Sequence, residues 1–128
     1  QRIVVQFREQ LPAWCTSMGR LLLSELDDDA LRARLDASAI EAFTKHTVTD
    51  IDGLLARIAQ ARKQRWCVVN QELEEGLISI AAPIVNRSGR MVAALNISGQ
   101  ANRTSAKVMQ ETMLPALREA AQRISGLL

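Results

Sequence analysis

The sequence holds no tyrosine, and its aromatic side chains are Phe7, Phe43, Trp14 and Trp66. A core built from it must therefore be packed mainly by Leu, Ile, Val and Ala. It has two cysteines, Cys15 and Cys67, far apart in the chain. They are too few for a disulfide scaffold and lack metal-ligand spacing, so they read as reduced packing residues. His46 is the single histidine, which excludes a His-rich metal site and reads as a connector residue. No run of lysines or arginines stands out. The formal charge of +2 does not predict nucleic-acid or membrane binding. No apolar run approaches the roughly 20 residues that span a bilayer, and no signal-peptide pattern opens the chain. The expected location is cytoplasmic. A G-x-S-x-G elbow, a P-loop and a dinucleotide fingerprint are all missing.

What is present fits one globular domain. The chain has 128 residues, 48% of them hydrophobic and 23% charged. At this size about two thirds of the unfolded surface can be buried. The sequence starts at Gln1 and passes almost at once into strand-like residues, which reads as a piece of a longer protein.

The hydrophobic pattern sets the expected elements. Arg2 to Phe7 is rich in β-branched residues and reads as a strand, broken at Leu11-Pro12. Met18, Leu21, Leu22, Leu23 and Leu26 fit a helix from Thr16 to about Leu26, with Thr16 or Ser17 as N-cap. Asp27, Asp28 and Asp29 start a second helix to about Ala37, since carboxylates favour a helix N-terminus. Phe43 to Thr49 is a connector. Thr49 and Asp52 begin a third helix carrying Leu54, Leu55, Ile58 and Ala61.

Trp66 to Val69 and Gly76 to Val85 read as strands. Pro83 inside the second predicts a bulge or an edge, because proline has no N–H for the ladder. Asn86 to Gly89 makes a hairpin turn. Arg90 to Ser98 returns, with Gly99 ending it. A last helix, capped by Thr104 or Ser105, runs to about Ile124, and Pro115 predicts a kink or a new first turn within it. This order predicts an α+β fold with a mainly antiparallel sheet flanked by helices.

Few side chains point to catalysis. Cys15, just before a helix start, fits either a thiol of lowered pKa or a small buried residue. Glu72, Glu74 and Glu75 offer carboxylates, but an acidic loop between strands is expected to be solvated. On its residues alone the chain is an α+β domain without an enzyme signature.

Three stretches carry a resemblance: Leu11 to Leu23 (LPAWCTSMGRLLL), Asn70 to Ile84 (NQELEEGLISIAAPI) and Gly89 to Arg103 (GRMVAALNISGQANR). In this order and spacing, with the connector TKHTVTD, they resemble the effector-binding domain of the IclR family of bacterial transcription regulators. The resemblance covers essentially the whole chain. It implies a GAF/profilin-like domain, here without its N-terminal part, and a winged helix-turn-helix preceding it. It implies a small organic acid as effector, aromatic or dicarboxylic, assembly as homodimer or tetramer, and operator DNA bound through the absent domain. It implies no cofactor, no metal and no enzyme activity. CTSMGR with QELEEGL looks most like the branch controlling aromatic-acid catabolism, whose inducers include protocatechuate, 4-hydroxybenzoate and β-ketoadipate.

The resemblance also implies a site. Ser17 and Met18 match positions whose amides face the effector, Thr16 and Ser17 add hydroxyl donors, and Arg20 supplies a charge or a surface salt bridge. Leu77 with Ser79, and Asn96 with Ser98, match the sheet positions that line the pocket. A polar pair on a packed face requires hydrogen-bond partners, which a hydroxylated acid would provide. Val69 departs from the pattern, since some members carry aspartate there; this weighs against glyoxylate- or pyruvate-type specificity. Glu72 is a poor substitute, because its charge would repel an acid. Two other readings remain at this point: a pure dimerisation module with a vestigial pocket, and a GAF-like enzyme.

Overall fold

The computed structural model of the chain describes residues 2–4 and 12–128. Strand β1 (Arg2–Val4) is followed by a 3-10 turn (Ala13–Cys15), helices α1 (Ser17–Leu23), α2 (Asp28–Asp36) and α3 (Ile51–Gln64), and strands β2 (Cys67–Asn70), β3 (Leu77–Val85) and β4 (Met91–Gln100). The last helical region comprises α4 (Ala106–Val108), a π turn (Met109–Met113) and α5 (Leu114–Ser125). Of the strand expected over Arg2 to Phe7, residues beyond Val4 lie outside the described ones, as does Leu11 of the expected break. Among the described residues no helix is long and apolar enough to cross a membrane.

Short polar side chains start the helices. Thr16 Oγ1 accepts from the Gly19 amide at 3.1 Å, Asp27 from Ala30 at 2.8 Å and Asp50 from Gly53 at 2.8 Å. Each satisfies an amide that lacks an intrahelical acceptor. Helix α3 thus starts from Asp50 rather than from Thr49 or Asp52. Helix α1 stops at Leu23, earlier than the apolar pattern predicted. Glu25 and Leu26 donate to Leu22 and Leu23 in tight turns, which lead directly into the Asp27 cap.

The sheet is antiparallel in the order β1-β4-β3-β2. Pro83 pairs with Ala94 of β4 but lies past the end of β2, which reaches only to Ala81. On its other side it is therefore an edge residue, and the register shifts next to it, at Ile84/Val85. Strand β4 runs through Gly99 to Gln100, where Gly99 was expected to end it. Gly99 pairs with Ile78 in the ladder, and a Cβ there would sit 3.4 Å from Thr104 Cγ2. That is an ordinary van der Waals separation, and the glycine does not break the strand.

Alternation along the strands divides the interior. Ile78, Ile80, Ala82 and Ile84, with Leu95 and Ile97, pack on Met109, Leu114, Leu117 and Ala121 of the C-terminal helices. On the other face Val69, Cys67, Ala81 and Ala94 meet Leu21 of α1 and Ala61 of α3. A further cluster of Trp14, Cys15, Leu23, Leu31, Leu35, Leu54 and Ile58 joins the 3-10 turn to α1, α2 and α3. Ser105 caps the final helical region. Pro115 sits in the first turn of α5, straight after the π turn. The proline is thus accommodated by a local π bulge and a restarted helix.

Candidate functional site

Because Ile78 and Ile80 face α5, Leu77 and Ser79 face α1. Leu95 and Ile97 place Asn96 and Ser98 on that same side. Ser79 pairs with Ser98 across β3 and β4, and with Val69 across β2 and β3. This row of small side chains leaves space beneath the first turn of α1. A cavity of about 190 Å³ occupies it. For scale, a cavity of about 150 Å³ accommodates benzene.

The cavity wall joins Thr16, Ser17, Met18, Leu77, Ser79, Asn96 and Ser98. Ala13, Cys15, Gly19, Leu22, Val69 and Leu73 complete it. None of these side chains is charged at neutral pH. An anion here would be held by hydroxyls and amides, around a body in contact with apolar groups.

The polar side chains are partly satisfied by one another. Ser17 Oγ and Ser79 Oγ are 2.9 Å apart. One of their two hydroxyl hydrogens is used in that bond, which leaves the other to donate. The Asn96 amide donates from Nδ2 to Ser98 Oγ at 3.2 Å. Its Oδ1 is buried without a partner among the described residues, although Asn96 as a whole is only 7% exposed. An unmet buried acceptor costs about 1–3 kcal/mol.

Arg20 does not line the cavity. It is buried, and each of its three guanidinium nitrogens donates: Nη1 and Nη2 to Glu72 at 2.9 and 2.5 Å, and Nε to the Trp14 carbonyl at 2.8 Å. The expectation that Arg20 offers its charge to a ligand, or to a surface partner, is corrected by this pairing. Glu72 likewise is not a solvated loop carboxylate. It is buried opposite Arg20 and also accepts from the Val48 amide at 3.2 Å. Glu74 and Glu75 are exposed, and so is His46 in its connector.

Cys15 touches the cavity, but burial pushes its thiol up to about 11 against the opposing pull of Arg20, with Glu72 adding to the rise. Burial does the same to Cys67, again to about 11. Neither is an activated nucleophile at neutral pH.

Sequence reasoning did not place Ala13, Cys15, Gly19, Leu22 or Leu73 in the cavity wall. Gly19 carried a readable signal, being a glycine in the first turn of a helix. A Cβ on it would lie 2.3 Å from the Ala13 carbonyl oxygen, so only glycine lets the 3-10 turn close against α1.

Residues 2–126 match the family model for the bacterial transcriptional regulator IclR C-terminal domain. The chain belongs to the IclR family. It is 47% identical over 88% of its length to the Pca regulon regulatory protein of Pseudomonas putida. It spans only 39% of that relative. Among solved structures it resembles a double mutant of the PobR inducer-binding domain from Acinetobacter, in complex with 3-hydroxybenzoic acid. The TM-score is 0.88 at 34% identity, covering 92% of this chain and 67% of the other. The C-terminal domain of the E. coli transcriptional regulator KdgR gives a TM-score of 0.80 at 35% identity, covering 90% of this chain and 70% of the other. These IclR-family relatives are transcription regulators, and the α+β architecture is common to them.

Proposed function

We propose that this IclR C-terminal domain senses a small organic acid with a single ring, or a chain of similar bulk, and a hydroxyl group. The observation that carries the reading is the buried Asn96 Oδ1 in the wall of the cavity, which has no partner among the described residues. A hydroxyl on the effector supplies the missing donor. The free hydroxyl hydrogens of the Ser17–Ser79 pair and of Ser98 serve the carboxylate, while Met18, Leu22, Val69, Leu73 and Leu77 contact the body. The first-turn amides of Ser17 and Met18 are further donors. The resemblance to regulators of aromatic-acid catabolism supports an aromatic effector, and the absence of charge among the described residues of the wall suits a largely apolar one.

In this reading the domain acts by binding and not by turnover. The longer protein adds a winged helix-turn-helix for operator DNA and further strands to this sheet, and it assembles as a homodimer or tetramer in the cytoplasm. Effector favours one quaternary arrangement over another. The resulting shift equals the difference in its affinity for the two.

Calorimetric titration of the full-length protein tests this with 3-hydroxybenzoate, 4-hydroxybenzoate, protocatechuate, benzoate, β-ketoadipate and adipate. A hydroxylated acid is expected to bind at least tenfold more tightly than its deoxy counterpart. If no acid binds, the sensing reading fails and a dimerisation module with a vestigial pocket takes its place.

A further inference from the structure

The sheet side of the cavity is fixed by the ladder hydrogen bonds of β3 and β4. The opposite side is not. It is made of two stretches of chain that are far apart in sequence: the 3-10 turn with Ala13 and Cys15 running through Thr16 into the start of α1 at Gly19, and the β2–β3 loop with Leu73. The two meet at one buried ion pair. Arg20 directly follows Gly19, and its Nε holds the Trp14 carbonyl of the 3-10 turn. Glu72 directly precedes Leu73, and its carboxylate takes both terminal nitrogens of Arg20.

The connector fastens the same loop from outside. Thr44 Oγ1 donates to the Gln71 carbonyl at 2.5 Å, Thr47 Oγ1 to the Glu72 carbonyl at 2.6 Å, and the Val48 amide to Glu72 Oε1 at 3.2 Å.

Stability alone does not account for such a pair. Desolvating two charges offsets most of their attraction, and apolar residues of similar volume are often as good or better. What a bidentate guanidinium–carboxylate pair provides is a fixed distance and a fixed plane. We propose that Arg20 and Glu72 are a positioning pair that sets the separation between the Leu73 loop and the first turn of α1. They thereby select which acids the cavity accepts. The inference rests on the sensing function proposed above. Neither residue touches the effector; both act through Gly19, Cys15 and Leu73.

The test is the Arg20→Met/Glu72→Leu double variant of the full-length protein, titrated with the same six acids. The lost charge desolvation is offset by the Trp14 carbonyl and the Val48 amide, which lose their partners, so the double variant's unfolding temperature is expected within several degrees of the wild type. Its tightest acid is expected to bind at least tenfold more weakly, with the ranking of the six flattened. A double variant that keeps the wild-type affinities and ranking overturns the inference while leaving the sensing reading intact. A wild-type protein that binds none of the acids overturns the sensing reading and the inference with it. Should the double variant not fold, Thr47→Val decides. It removes the hydroxyl that holds the Glu72 carbonyl and also accepts from the Phe43 and Thr44 amides, and it is expected to weaken the tightest acid at least threefold while the protein still folds, with an unfolding temperature lower by a few degrees. Unchanged affinity in Thr47→Val overturns the inference.

Discussion

Ser17 Oγ lies 2.9 Å from Ser79 Oγ, joining the first turn of α1 to strand β3 in the wall of the α1-facing cavity. The bond holds in place two hydroxyls that the proposed function assigns to a carboxylate. Ser79→Ala is expected to cost about 1 kcal/mol of stability, the net worth of one such hydrogen bond. It is also expected to weaken acid binding about tenfold, in line with a hydrogen bond to a charged group at roughly 1.5 kcal/mol. Chemical denaturation and titration calorimetry on the same variant read the two effects separately.

Asn96→Leu separates a binding role from a packing role. The substitution removes a buried amide whose Oδ1 lacks a partner among the described residues, so the unliganded protein is expected to be as stable as the wild type, or more so. The preference for hydroxylated over deoxy acids is expected to disappear. A loss of stability with the preference intact would assign Asn96 to packing.

Gly19→Ala is expected to run against the ordinary helix scale, on which alanine in place of glycine gains up to about 1 kcal/mol. Here the new Cβ meets backbone, the Ala13 carbonyl oxygen at 2.3 Å and the Ala13 Cα at 2.4 Å. The turn must move away from α1, at a cost of about 1–3 kcal/mol, the range for overpacked sites. A fall in unfolding temperature, with weaker acid binding, is the expected result.

The two thiols give a pH dependence. Cys15 and Cys67 ionise near 11 in the folded chain, against an ordinary 9.0, because both are buried. A raised folded pKa means that the unfolded chain releases these protons first. Their contribution is therefore complete below pH 9 and is lost as pH rises towards 11. Denaturation midpoints at pH 8, 9, 10 and 11 are expected to fall through that window, and less steeply in Cys15→Ala/Cys67→Ala. At pH 8 a thiol reagent is expected to react far more slowly with the native than with the unfolded chain.

Much of the fold was legible because its local signals agree with its packing. Asp27 and Thr16 cap the helices that their positions predicted, and Gly89, at φ 81°, makes the predicted hairpin turn. Ser79, Asn96 and Ser98 fall on one face by simple alternation. The misreadings came from long-range partners. Nothing near Arg20 in sequence shows that Glu72 will neutralise it, so a buried clamp looked like a ligand-facing charge or a surface salt-bridge partner. Nothing near Glu72 shows that Val48 and Arg20 enclose it, so a core carboxylate looked like a wet loop. Gly99 read as a terminator because glycine weakens strands in general. In the folded chain it is a paired ladder residue opposite Ile78, a partner on another strand. The apolar stretch through Leu26 did not reveal that α1 ends at Leu23, since Leu26 still packs against the same cluster from a turn.

The central claim is that the cavity against Asn96 and Ser98 senses a hydroxylated acid. Thermal unfolding of the full-length protein with each of the six acids tests it most directly. An effector at a hundred times its Kd adds about 2.7 kcal/mol to the native state, a rise of several degrees for a domain of this size. The account predicts such a rise with a hydroxylated acid, little or none with its deoxy counterpart, and its loss in Asn96→Leu and in Ser98→Ala. Unfolding temperatures unmoved by all six acids, or raised equally in the wild type and in both variants, would contradict it.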